Sequence, residues 1–304
     1  MTDEPLDVMR PFSRAQAIAA GIALTELRRV AYRPVFTGVY LDASVEVTPT
    51  VRARAALVPF PEDAILSHAS AARVLGAPVP TDADEHVTVF RQRDRRHRPG
   101  IACHLATRAQ LVTIEGMRVT SPAQTFADLA ATLGLVDAVV LGDHLVRRRL
   151  VTLDHLRAFC AERGSAAARR AVAFVRNGVD SPMETRVRLL LVLAGLPEPE
   201  VNPEIRDDDG FVLRRYDLYY RVSRTIVEYD GRQHAERVDQ WESDVARRGA
   251  IDDERERIVV LLAKDIYTSP GATVAMVHRI LRERGEPGVP VRPSDAWRPH
   301  FPER

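Results

Sequence analysis

The spacing of polar and apolar positions changes several times along the chain, and each change marks an element. Residues 13–20, SRAQAIAA, place a serine N-cap ahead of a short helix that Gly21 breaks, and LTELRRV supplies a second helix. VAYRPVFTGVYL then alternates as a hairpin or wing. VRARAALVPF and SHASAARVLG continue as helix and turn over residues 51–76. Strand-like segments follow at 86–91 and 101–105, and the run RQRDRRHR at 91–98 reads as a charged hairpin tip that also offers a phosphate contact. A short strand at 117–121 leads into the helix AQTFADLAATLG behind Ser121-Pro122. Three further helical stretches, VDAVVLGDHLVRR, TLDHLRAFCAERG and AAARRAVAFVR, reach the breaker Asn177-Gly178, where a domain boundary is expected.

Beyond that boundary Ser181-Pro182-Met183-Glu184 is a helix start, with serine at N-cap, proline at N1 and glutamate at N3. The helix is expected to bury Met183, Val187, Leu190, Leu191 and Ala194 on one stripe and to end at Gly195. Two short strands follow. Asp217 falls within Tyr216-Asp217-Leu218-Tyr219-Tyr220, and in Thr225-Ile226-Val227-Glu228-Tyr229-Asp230 alternation puts Ile226, Glu228 and Asp230 on one face. A carboxylate in an apolar strand costs several kcal/mol unless paired, hydrogen-bonded or metal-bound. Three acids gathered at one strand pair therefore suggest a hard-cation site. A long charged helix, AERVDQWESDVARRGAIDDER, and the apolar strand IVVLLA complete an α-β-β-α-β order, which fits a mixed sheet flanked by helices. The C-terminal end, EPGVPVRPSDAWRPHFPER, is proline-rich and polar and is expected to be a loose tail.

Composition narrows the picture only slightly. At 304 residues the chain accommodates two ordinary domains, and a net charge of +1 argues neither for nor against nucleic acid. Lys264 is the sole lysine, so almost all positive charge is arginine, a bias expected of a GC-rich genome. Cys103 and Cys160 lie far apart, without zinc-type spacing, as expected of reduced thiols in a cytoplasmic protein. The first residues lack the pattern of a signal peptide, and no apolar run approaches the ~20 residues that span a bilayer. The expectation is a soluble, cytoplasmic α/β (α+β) protein without a membrane partner.

Two resemblances sharpen this. The segment from Ser181 to about residue 281 resembles the restriction-endonuclease-like domain related to very-short-patch-repair endonuclease, a branch of the PD-(D/E)XK superfamily. The matching marks are SPMETRVR, YDLYY, the run VEYDGRQH, and Asp244 and Arg247 on a later helix. The resemblance implies an acidic cluster of Glu184, Asp217 and Glu228, with Asp230 and His234 beside it. It further implies that Asp217, Glu228 and Glu184 bind Mg²⁺ (or Mn²⁺) for phosphodiester hydrolysis, with His234 as acid/base or water-orienting group. The superfamily motif has a lysine two residues after the strand acid, where this chain has Asp230; that role is vacant or falls to His234 or an arginine.

Residues 12–156 resemble the AbiEi-type antitoxin region of type IV toxin-antitoxin systems, through SRAQAIAAGI, LRRV, FTGVYL, ILSHASAARVLGAP and RVTSPAQTFADLA. That family's N-terminal winged helix binds DNA, which makes Arg28, Arg29 and Arg33 the DNA-contacting candidates, alongside the reading of a solvated helix face. His68 reads as a capping or packing residue. The domain plan is a winged helix-turn-helix at 1–50, an AbiEi-like α/β region at 51–177, an endonuclease-like domain at 178–284 and a flexible tail at 285–304. Three functions follow as expectations. The first is a Mg²⁺-dependent DNA endonuclease linked to defence, repair or toxin-antitoxin systems. The second is a non-catalytic DNA-binding regulator on a degenerate nuclease fold. The third is a scaffold that binds a partner protein through the apolar helices near 121–160; the partners expected across these readings are DNA and a cognate toxin or other defence protein.

Overall fold

The computed structural model describes residues 5–80, 82–207, 209–231 and 256–302. The chain forms two compact units, one of residues 1–133 and 150–172, the other of 134–149 and 173–304. Both combine helices with mixed or antiparallel sheets, so the fold is α/β.

The first unit opens with strand β1 (Phe12–Ser13), helix α1 (Arg14–Ala19), a 3₁₀ turn (Glu26–Arg28), β2 (Tyr32–Phe36) and β3 (Val39–Asp42). The strands pair in the order β1-β3-β2 over a small core of Phe12, Ala17 and Leu27. Ser13 caps α1 reciprocally with Gln16, each side chain accepting the other residue's backbone N–H. The expected second helix is only the three-residue turn. Leu27 is its one buried residue, while Leu24 and Val30 stay exposed, and a single anchor does not offset the cost of helix nucleation. Arg28 and Arg29 therefore sit on a turn and its cap rather than along a groove-reading helix.

The same unit continues through α2 (Pro49–Leu57), β4 (Ile65–Leu66), α3 (His68–Val74), β5 (Glu85–Val89), β6 (Ile101–Leu105), β7 (Leu111–Ile114), β8 (Met117–Thr120) and α4 (Pro122–Ala130). These strands make a five-stranded mixed sheet, β6-β5-β4-β8-β7. Val87, Val89, Ile101, Met117 and Val119 bury its core face against Ala53, Ala56 and Phe60. β5 and β6 run parallel, Glu85 opposite Ile101, so residues 90–100 form a crossover and not the expected hairpin tip. β7 and β8 are the hairpin, turned at Glu115 and Gly116, both at positive φ as a primed turn requires.

Helix α5 (Leu135–Arg147) belongs to the second unit, whereas α6 (Leu153–Arg163) and α7 (Ala166–Val172) return to the first. The last division between the units, after Val172, falls close to the expected boundary near residue 177, and the departure is α5: it packs on α8 (Pro182–Leu193), tied by Arg188–Asp143 at 3.0 Å and Arg186–Asp137 at 2.5 Å. The second unit adds β9 (Glu200–Val201), β10 (Glu204–Arg206), β11 (Val212–Arg215), β12 (Leu218–Tyr220), β13 (Thr225–Tyr229), β14 (Arg257–Leu261), α9 (Ala263–Tyr267) and α10 (Pro270–Glu283). Its main sheet has the order β14-β13-β12-β9, with β13 and β14 parallel and the other pairs antiparallel; β10 and β11 form a separate ribbon. α8 is buried around most of its circumference, including Glu184, Thr185 and Arg188 as well as the expected apolar positions, while Met183 is only half-buried.

The supposed tail is also corrected. Trp297 and Phe301 are buried, Ser294 N–H donates to the Ala194 carbonyl at 2.8 Å, and His278 Nε2 bonds the Pro290 carbonyl at 2.8 Å. Two large apolar side chains outweigh the polar, proline-rich composition around them.

Candidate functional site

Four of the five acid-site candidates meet at one end of the second unit's sheet. Asp217 lies in a bend just before β12, not within a strand as expected, because the pairing starts at Leu218 opposite Val227. That bend turns its carboxylate toward β13, where Oδ2 accepts the Tyr229 N–H at 2.9 Å. Asp217 thereby stands beside Glu228, the residue preceding Tyr229, and both are half-buried. Asp230 follows β13 and donates its backbone N–H to the Leu261 carbonyl at 2.9 Å. Glu228 falls on the face shared by Ile226 and Tyr219, as alternation and register require.

Glu184 joins this end through a residue the sequence did not single out. Ser181 caps α8 by accepting the Glu184 N–H at 3.1 Å. The buried Glu184 carboxylate, through Oε2, accepts the Asp180 N–H at 2.9 Å and the Asn202 side-chain amide at 2.7 Å. Asn202 in turn donates its backbone N–H to the Asp217 carbonyl at 2.9 Å. It adopts φ +48, a left-handed conformation that asparagine tolerates better than most residues. A relay of hydrogen bonds thus runs from Glu184 through Asn202 and Asp217 to Tyr229. Arg215 adds a cation here, bridging Asp180 at 2.6 Å. An Asn in a turn after a short strand is a faint sequence signal, and Arg215 was hidden among many arginines. His234, Asp244 and Arg247 lie outside the described residues.

The DNA-contact candidates in the first unit do not share an element. Arg28 and Arg29 are exposed on the 3₁₀ turn, and Arg33 lies on β2 with its guanidinium donating to the Ala43 carbonyl.

The first unit holds another cluster that the sequence reading passed over. His68, His86 and His104 offer ligand atoms that all lie within 4.8 Å of one another, the one such trio of His, Cys or acidic residues among the described residues. Their rings stack, His68 on His104 at 3.9 Å between centroids and His86 on His104 at 5.2 Å. Burial, with the neighbouring His104 and His86, pushes the His68 imidazole down to about 3; His104 is lowered by burial, His86 and Arg95. His68 and His104 line a cleft of about 560 Å³ with Arg95, Arg108, Gln124 and Asp128. Burial raises the Asp128 carboxyl to about 6, against the Gln124 amide that donates to it at 2.7 Å.

No protein-family model matches the chain. Two curated relatives are similar: the uncharacterized protein MT2308 of Mycobacterium tuberculosis strain CDC 1551 and the uncharacterized protein Rv2248 of strain H37Rv. Each is 27% identical over 192 residues, spanning 61% of this chain and 70% of the relative. Their names carry no activity. Among the described residues no helix is long and apolar enough to cross a membrane.

Proposed function

We propose that the second unit is a divalent-cation-dependent DNA endonuclease acting in the cytoplasm, in defence, repair or a toxin-antitoxin setting. The observation that carries this reading is the relay Glu184–Asn202–Asp217–Tyr229, which ties two acids, one from α8 and one from the bend before β12, to the end of β13 that carries Glu228. The donor set fits a hard cation, since Asp217 and Glu228 are neighbouring half-buried carboxylates and oxygen ligands suit Mg²⁺ or Mn²⁺. Asp217 and Glu228 would hold the ion. Glu184 is engaged by the Asp180 N–H and Asn202, so its role is to fix Asn202, which fixes the Asp217 backbone. The Tyr229 N–H holds the Asp217 carboxylate in one orientation. Arg215, two residues before Asp217 and paired with Asp180 at 2.6 Å, would be the cation that meets a phosphate, given the lysine missing from the motif. A bound Mg²⁺ supplies charge neutralisation at phosphorus and an acidified water.

The test is cleavage of plasmid and single-stranded DNA with Mg²⁺ or Mn²⁺ by wild type, Asp217→Ala and Glu228→Ala. Metal-dependent cutting lost in both variants is the expected result; cutting that survives both would refute the site.

A second reading, a non-catalytic DNA-binding regulator, is favoured by two observations. The Glu184 carboxylate already has two protein partners, and the acids do not close into a trio within 4.8 Å. It predicts folded protein that cuts no substrate and binds its own promoter in a strongly salt-dependent way.

A further inference from the structure

We propose that His68, His86 and His104 form a tris-imidazole site for a divalent transition metal of the Zn²⁺ class, open on its fourth side to the cleft of the first unit. The claim rests on geometry built by three elements and is independent of the endonuclease reading. In the parallel pairing of β5 and β6, His86 stands opposite Ala102 and His104 opposite Thr88. The two histidines are therefore diagonal neighbours on one sheet face, a spacing that long side chains bridge. β4 ends alongside, where the Ser67 N–H donates to the His86 carbonyl at 3.1 Å, and His68 begins α3. His68 adopts φ +47, a strained value for a residue with a Cβ, and this departure sets its imidazole over His104.

The outer contacts select which nitrogen of His86 faces inward. Asp82 Oδ2 lies 2.7 Å from His86 Nε2, so that nitrogen donates its proton to the carboxylate and the lone pair of Nδ1 points into the cluster. A carboxylate behind an imidazole in this way is the usual support of a metal-bound histidine. His68 Nδ1 is held by Ser67 Oγ at 3.0 Å, itself bonded by Thr88 at 2.8 Å, which leaves Nε2 as its inward atom.

His86 Nδ1 and His104 Nε2 are 2.9 Å apart. Tetrahedral Zn²⁺ with bonds of about 2.0–2.1 Å would separate two ligand nitrogens by about 3.3–3.4 Å, so this pair needs to open by under about 0.5 Å, and the His68 ring, stacked 15° from parallel on His104 with centroids 3.9 Å apart, must turn its edge toward the ion. An all-imidazole set favours Zn²⁺, Co²⁺, Ni²⁺ or Cu²⁺ over Mg²⁺. Three protein ligands and an open position make the reactive kind of zinc site, not the closed structural kind. Arg95 and Arg108 on the cleft wall suit an oxyanion as the fourth ligand or as substrate.

The test is Zn²⁺ titration by calorimetry, with Co²⁺ visible absorption in parallel, on metal-stripped full-length protein in excess Mg²⁺ to occupy hard-cation sites. One equivalent per chain is expected for wild type and for Asp217→Asn. His86→Ala and His104→Gln should lose it, and Asp82→Asn, which keeps all three rings, should weaken it by about 10–100-fold. Far-UV circular dichroism verifies that each variant is folded. Wild type that binds no Zn²⁺ or Co²⁺, or a folded His104→Gln variant that binds as wild type does, would overturn the proposal.

Discussion

Replacing Arg188 with methionine should destabilise the second unit by about 3–5 kcal/mol, the usual consequence of stranding one member of a buried ion pair. Arg188 is 0% exposed and Asp143 is 2% exposed. Nη2 reaches Asp143 Oδ2 at 3.0 Å and the Phe174 carbonyl at 2.9 Å, while Nη1 reaches Glu198 at 3.0 Å. Methionine fills most of the space, so the cavity term is small and the stranded carboxylate dominates. Asp143 would keep the Arg176 N–H at 2.8 Å and the Thr185 hydroxyl at 2.9 Å, which soften the loss without supplying a counter-charge. The same pair at the surface would contribute at most about 1 kcal/mol, so burial decides the size. The double variant Asp143→Leu/Arg188→Met removes the stranded charge but orphans the Arg176 N–H and the Phe174 carbonyl, at about 1–3 kcal/mol each. It should therefore cost less than the sum of its singles without becoming neutral. Urea unfolding followed by tryptophan fluorescence reads this unit, since Trp297 is buried in it and no tryptophan of the sequence falls in the first unit's residue ranges. A single-variant loss below about 1 kcal/mol, or strict additivity in the double, would refute the reasoning.

Two further outcomes follow from burial. The Asp128 carboxyl is raised from 3.8 to about 6, so the folded state holds that proton more tightly than the unfolded chain. Its contribution is complete below about pH 4 and is lost as pH rises through about 6, a difference on the order of 3 kcal/mol. Asp128→Asn should therefore gain on wild type between pH 4 and 7 in thermal melts, and parallel profiles would contradict the assignment. Trp297→Ala should cost about 3–5 kcal/mol if the C-terminal segment is integral to the second unit, and an unchanged urea midpoint would show that it is not.

What the sequence disclosed and what it withheld follow from the range of the interactions. Ser13 and Ser181 cap helices through contacts three residues away, so a local pattern contains them. The alternation of Thr225–Tyr229 likewise placed Glu228 with Ile226 correctly, because strand period is a local property. Asp217 was misplaced by its aromatic neighbours, whose strand propensity spreads over a bend that tertiary pairing ends at Leu218. The α5–α8 pairing rests on contacts 45 and 49 residues apart, from arginines that look like ordinary solvated helix positions. The histidine trio was illegible for the same reason. His86 and His104 meet only because β5 and β6 run parallel, whereas the charged run between them suggested a hairpin. An antiparallel reading reverses one strand and sends His104 toward the opposite end of its neighbour, which dissolves the cluster. The site thus depends on one strand direction that no residue in the connection encodes by itself, and strand direction is the point at which reasoning from sequence to chemistry failed in this unit.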